Sequence, residues 1–214
     1  MTDTEIANLI AREFNEKNLA LTEQYLQIHQ PVYENDKLKI ERIVRENDII
    51  VAYLPIKDEY FYFTVIIKTK KQEVFRIDTE PRNLVSLIFA SEHKTCEELQ
   101  EFTNLKYQES WNIGEKMPHR KRNYTNSGIE FYLPKEPGTF EEKLHNLLHF
   151  VQEDFKGMQA LSEVSKGYVH VIIDYHSGNQ LLGGHVINAA LIQNMSALNL
   201  SIDFQIAAWG ESFK

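Results

Sequence analysis

The feature that most constrains the fold is the run Glu59–Lys68, in which every second residue is apolar in strict register. Phe61, Phe63, Val65 and Ile67 project to one side, and Tyr60, Tyr62, Thr64 and Ile66 to the other. A period of two is the signature of a strand buried on one face. It does not stand alone. Residues 37–45 and 48–56 carry strand-like apolar and β-branched runs, and Glu73–Asp78 follows as a fourth. Asn47-Asp48, Lys57-Asp58 and Lys70-Lys71 supply turns between them. Spacings this short leave room only for antiparallel neighbours, because a parallel return needs a crossover of a dozen residues or more.

A helix precedes this meander. Thr2 stands three residues before Glu5, the spacing of a capping box, and Ile6, Leu9, Ile10 and Phe14 recur at helical intervals. A second short helix is expected over residues 21–28, ending before Pro31. Thr79-Glu80-Pro81-Arg82-Asn83 interrupts the strand pattern and predicts a boundary between residues 1–80 and 84–214. Beyond it strands and helices alternate. Strands are expected at 84–90, 128–133, 168–175 and 200–209, with helices at 95–102, 140–155 and 186–198. A long polar connection fills 106–127. The fold class expected is α+β: an N-terminal helix and antiparallel meander, then a four-stranded sheet with helices mainly on one face.

The chain has 214 residues, a formal net charge of −8 and one cysteine, Cys96. An acidic surface discourages non-specific binding to nucleic acid and to anionic membrane. A single cysteine makes the fold independent of an intramolecular disulfide. The first residues lack the basic start and apolar core of a signal peptide, and no apolar run reaches the ~20 residues of a membrane helix. The compartment expected is the cytoplasm.

Several constellations could carry chemistry. His145 and His149 stand four apart on an expected helix, but His-Asn-Leu-Leu-His lacks the glutamate of a zinc-protease motif. Both fall outside the stripe of Phe140, Leu144, Leu147, Leu148, Val151 and Phe155, so they are expected at the surface. His170, Asp174 and His176 share one face of a strand, and two imidazoles with a carboxylate suit zinc or non-haem iron. Ile172 among them favours a plain polar sheet face. The loop Gly178–His185 resembles a phosphate-binding turn but lacks its lysine and its serine or threonine, so its glycines read as turn residues. There is no Gly-x-Ser-x-Gly nucleophile elbow, Cys96 has no identified base, and Glu97-Glu98 and Glu141-Glu142 read as helix-start acids. The stretch from Lys116 to Tyr124 is basic in an acidic chain, through His119, Arg120, Lys121 and Arg122. With Trp111 and Tyr124 flanking it, this is the surface most expected to bind a partner, because Trp, Tyr and Arg anchor interfaces. A solvated loop is the plain alternative, and nucleic acid a weaker one.

From Leu84 onward the order of features resembles a bacterial family known as domain of unknown function 4279. The resemblance lies in Val85–Phe89, in Cys96–Gln100, in Asn104–Glu115 with Trp111 and Gly114, and in the closing Leu198–Phe204. It implies a small α+β domain, with the first eighty residues as an extension, and it transfers no catalytic residue. With no catalytic signature, no cofactor is expected. The reading favoured is a non-enzymatic protein-interaction role, for instance an antitoxin or immunity protein that meets a basic partner with acidic charge. The alternatives are a metal site at His170, Asp174 and His176, and a small-ligand sensor with its pocket between the two halves.

Overall fold

The computed structural model describes residues 1–118, 120–178 and 182–211. Helix α1 (Asp3–Glu16) begins with the expected capping box, Thr2 and Glu5 each accepting the other's backbone N–H. Its Ile6, Ile10 and Phe14 are buried. Helix α2 (Ala20–Ile28) has no cap from its own N-terminal residue. The buried Glu13 carboxylate of α1 replaces it, accepting from the Leu19 N–H at 3.0 Å and the Thr22 hydroxyl at 2.6 Å. An anion at a helix N-terminus satisfies orphan donors and complements the dipole.

A two-residue hairpin, β1 (Tyr33–Glu34) and β2 (Lys37–Leu38), turns through Asn35 and Asp36, both at positive φ. The meander then runs β3 (Arg42–Glu46), β4 (Ile49–Pro55), β5 (Phe61–Lys68) and β6 (Glu73–Ser91), each antiparallel to the last. In β5 the four residues of the alternating stripe are essentially inaccessible, as the pattern requires.

The break expected at Thr79–Asn83 is not there. Residues 73–78 and 84–90, expected as two strands, belong to the single 19-residue β6. Pro81 is tolerated because the ladders change at that point. Residues 73–81 pair with β5, and from Arg82 onward β6 pairs with β9 (Lys166–His176). A residue without an N–H fits best where a ladder ends. From Ser86 to Ser91 the other edge of β6 is taken by β8 (Ser127–Tyr132), and β7 (Glu109–Trp111) adds to β8. Strand β10 (Ser201–Trp209) completes the sheet parallel to β9. The four-stranded sheet expected for the second part is therefore corrected to one eight-stranded sheet that runs through both parts of the chain.

Helices α3 (Cys96–Gln100), α4 (Phe140–Phe150), α5 (Phe155–Val164) and α6 (Ala189–Ala197) belong to the second part. One 3-10 turn at Val151–Asp154 separates α4 from α5. Helix α6 is the crossover that a parallel β9–β10 pair demands. The apolar residues form two cores. One gathers α1, α2 and the meander around Phe61, Phe63 and Ile77, and the other gathers α3–α6 against Val85, Leu87, Phe89, Ile129, Phe131 and Val171. Polar ties join them. Arg42 of β3 holds Glu142 of α4 through both guanidinium ends, and the rings of His29 and His176 meet at 2.9 Å. No helix among the described residues is long and apolar enough to cross a membrane.

Candidate functional site

Alternation in the second part of β6 sends Val85, Leu87 and Phe89 into the core and Leu84, Ser86 and Ile88 to the other face of the sheet. Cross-strand pairing extends that face. Ser86 lies between Tyr132 of β8 and His170 of β9, and Ile88 between Glu130 and Tyr168. Glu109 of β7 is the direct partner of Glu130.

Above this face stands an arm made of residues 111–118 and 120–126, within the stretch 106–127 expected as a long polar connection. It is an extended hairpin. Gly114 N–H donates to the Tyr124 carbonyl, Tyr124 N–H to Glu115, and Lys116 bridges Asn123. Its base is fixed by side chains. Asn112 Oδ1 accepts from the Cys96 N–H at 2.9 Å, and Ser127 Oγ accepts from the Ile113 N–H at 3.1 Å. Gly114 has φ +87°, a conformation that glycine adopts without strain. Trp111 lies flat over Gly128, where any Cβ would overlap the indole, and stacks on Tyr124 at 5.2 Å. The Trp111 indole N–H donates to Asn126 Oδ1 at 3.2 Å.

Sheet face and arm enclose a cleft of about 560 Å³. Its walls are Trp111, Tyr124, Tyr132 and Tyr168, with Leu84, Ile88 and Ile172 on the floor. His170 lies on the cleft wall with its Nε2 buried and without a hydrogen-bond partner among the described residues. A buried polar atom of that kind is costly to leave unmade. Glu109 accepts from the Tyr132 hydroxyl at 2.9 Å, and neither Glu109 nor Glu130 has an ion pair among the described residues. The cleft continues past the end of β8 to Lys143, which donates to the Asn83 carbonyl, and to the Arg42–Glu142 pair. Burial pushes the Lys143 amine down to about 8, helped by nearby Arg42.

The structure divides the expected binding residues. Trp111 and Tyr124 line the cleft, whereas Arg120, Lys121 and Arg122 are exposed towards the tip of the arm. His119, from the same tract, lies outside the described residues, as do residues 179–181 of the glycine loop.

His170, Asp174 and His176 share a strand but not a site. Six residues of strand separate the histidines by roughly 20 Å. His170 faces the cleft, while Asp174 accepts from Arg82 Nη2 at 2.6 Å and from the Trp209 indole at 2.8 Å. His176 joins the first core beside His29 and Phe61. Among the described residues no group of three His, Cys, Asp or Glu could hold a metal ion. His145 and His149 are exposed. Cys96 is buried, and desolvation, with Glu97, pushes its thiol up, away from a reactive thiolate.

Residues 79–209 match a family model described as Domain of unknown function (DUF4279). The chain belongs to this family. The match opens inside β6, next to the handover at Pro81, so the DUF4279 region contains β7–β10, α3–α6 and, apart from Arg42, the whole lining of the cleft. No curated protein and no solved structure matches the chain.

Proposed function

We propose that this DUF4279 protein is a binding protein whose ligand is a small organic molecule held in the cleft between β6, β8, β9 and the arm. The observation that carries the reading is the cleft itself. Its volume lies in the range of small-molecule sites, and its lining sets aromatic and aliphatic side chains beside an almost equal number of polar and charged ones. Apart from Arg42 at one end, the site lies within the family region. Soaking crystals of the full chain with a panel of aromatic and amine fragments tests this. The expected result is fragment density against Trp111, Tyr168 and His170. Fragments found only elsewhere, with this cleft empty across the panel, would overturn the reading.

A second reading, a protein partner, is supported by the exposed basic tip at Arg120, Lys121 and Arg122. Replacing Arg120 and Arg122 by Ala should leave the melting temperature unchanged while weakening capture of that partner. An unchanged set of captured proteins would remove the tip from consideration.

A further inference from the structure

One pairing in the cleft runs against the ordinary rules of sheet formation. Glu109 and Glu130 are direct antiparallel partners, so two carboxylates face each other across β7 and β8. Like charges in that position destabilise a ladder. No cation of the described residues pairs with either one. The basic groups of the cleft are engaged elsewhere: Arg42 by Glu142 and the Pro137 carbonyl, Lys143 by the Asn83 carbonyl, and Lys135 over the outer ring of Tyr132 at 4.8 Å. Two residues along β7 from Glu109 stands Trp111, stacked on Tyr124, and across the sheet from Glu130, beyond Ile88, the same cleft is lined by Tyr168. Aromatic faces attract cations through the ring quadrupole, and an aromatic wall with adjacent carboxylates is suited to an alkylammonium or guanidinium group.

Resting on the ligand-binding reading above, we infer that the cleft takes a small organic cation, with its charge between Glu109 and Glu130 and its carbon body against Trp111, Tyr124 and Tyr168. The cation relieves the repulsion between the two strands, so occupancy also tightens the β7–β8 ladder at the base of the arm. The two carboxylates supply selectivity for charge, and the rings supply contact area.

Titration calorimetry on the full chain tests the inference with choline, with agmatine, and with 3,3-dimethylbutan-1-ol, the uncharged isostere of choline. At least one of the two cations should bind, and the isostere should bind at least ten-fold more weakly than choline if choline is that cation. The E109Q/E130Q double variant should lose at least ten-fold in cation affinity. It should melt no lower than the parent, because a repulsion has been removed, and E130Q alone serves if the double variant does not fold. Equal affinity for choline and its isostere, or unchanged cation binding in the glutamine variant, overturns the charge assignment and leaves the ligand reading standing. If neither cation binds, the inference is also overturned. An empty cleft in the fragment-soaked crystals is the separate result that overturns the ligand reading itself.

Discussion

Replacing Asp174 with Ala measures how firmly the sheet is tied where its ladders change partners. Asp174 is buried and accepts three charge-assisted bonds: from Arg82 Nε at 3.0 Å, from Arg82 Nη2 at 2.6 Å, and from the Trp209 indole at 2.8 Å. Arg82 also lies over the Tyr60 ring, and Tyr60 packs edge-on against Trp209. One carboxylate thus links β6, β9 and β10 to the residue preceding β5. Breaking a fully buried pair costs about 3–5 kcal/mol, because the surviving charge is stranded. The Arg82 side chain is 30% exposed, so water recovers part of that loss. The expected cost is therefore about 2–3 kcal/mol. For a chain of this size each 1 kcal/mol lowers the melting temperature by about 2–4 °C, which gives a fall of about 4–12 °C. Asp174→Asn, which keeps an acceptor and loses the charge, should fall in between. Calorimetric melting at pH 7 is the assay. A shift under about 1 °C for Asp174→Ala would show that the link contributes nothing measurable, and the account of the handover would fail with it.

Burial, and then the neighbouring His176, pushes His29 down from 6.5 to about 4. The unfolded chain binds a proton there that the folded chain refuses, so stability falls as pH drops through that window, by about 3 kcal/mol in all. Burial, with Asp78 and Glu141 nearby, pushes Glu80 up from 4.5 to about 7, and this gives the opposite slope: the folded state holds the proton, and stability rises as pH drops from 7 towards 4.5. Glu80→Gln should therefore unmask a steeper loss of melting temperature between pH 6.5 and 4.5; a profile parallel to that of the parent would contradict these assignments. Gly128→Ala should drive the Trp111 ring off β8 and cost about 1–3 kcal/mol in chemical denaturation, and a neutral substitution would show that the indole does not need that space. His145→Gln with His149→Gln should change stability by about 0.5 kcal/mol or less, since both are at the surface; a loss of several kcal/mol would refute their exposure.

The elements readable from sequence were those decided by neighbours along the chain. The Thr2–Glu5 capping box and the Phe61–Ile67 alternation are local signals, and both stand in the structure. Pro81 misled because a proline excludes a strand only where its N–H is needed, and here one ladder ends as another begins. The arm was not legible because its order depends on Asn112 and Ser127 reaching backbone N–H groups far from them in sequence. Trp111 and Tyr124 could be singled out by residue type. The Glu109–Glu130 pair could not, since its register is set across the whole arm. Alternation correctly placed His170, Asp174 and His176 on one strand face, but three different neighbours took them, a matter of tertiary structure that periodicity does not encode.

The most direct test of ligand binding in the cleft uses the two tryptophans of the chain. Trp111 lines the cleft, and Trp209 lies at the end of β10, outside it, bonded to Asp174. Labelling with 5-fluorotryptophan gives one fluorine signal for each, assigned through Trp209→Phe. Titration with the fragments and amines above should shift the Trp111 signal saturably and leave Trp209 in place. A Trp111 signal that stays fixed to the highest concentrations, or a shift confined to Trp209, would contradict the account.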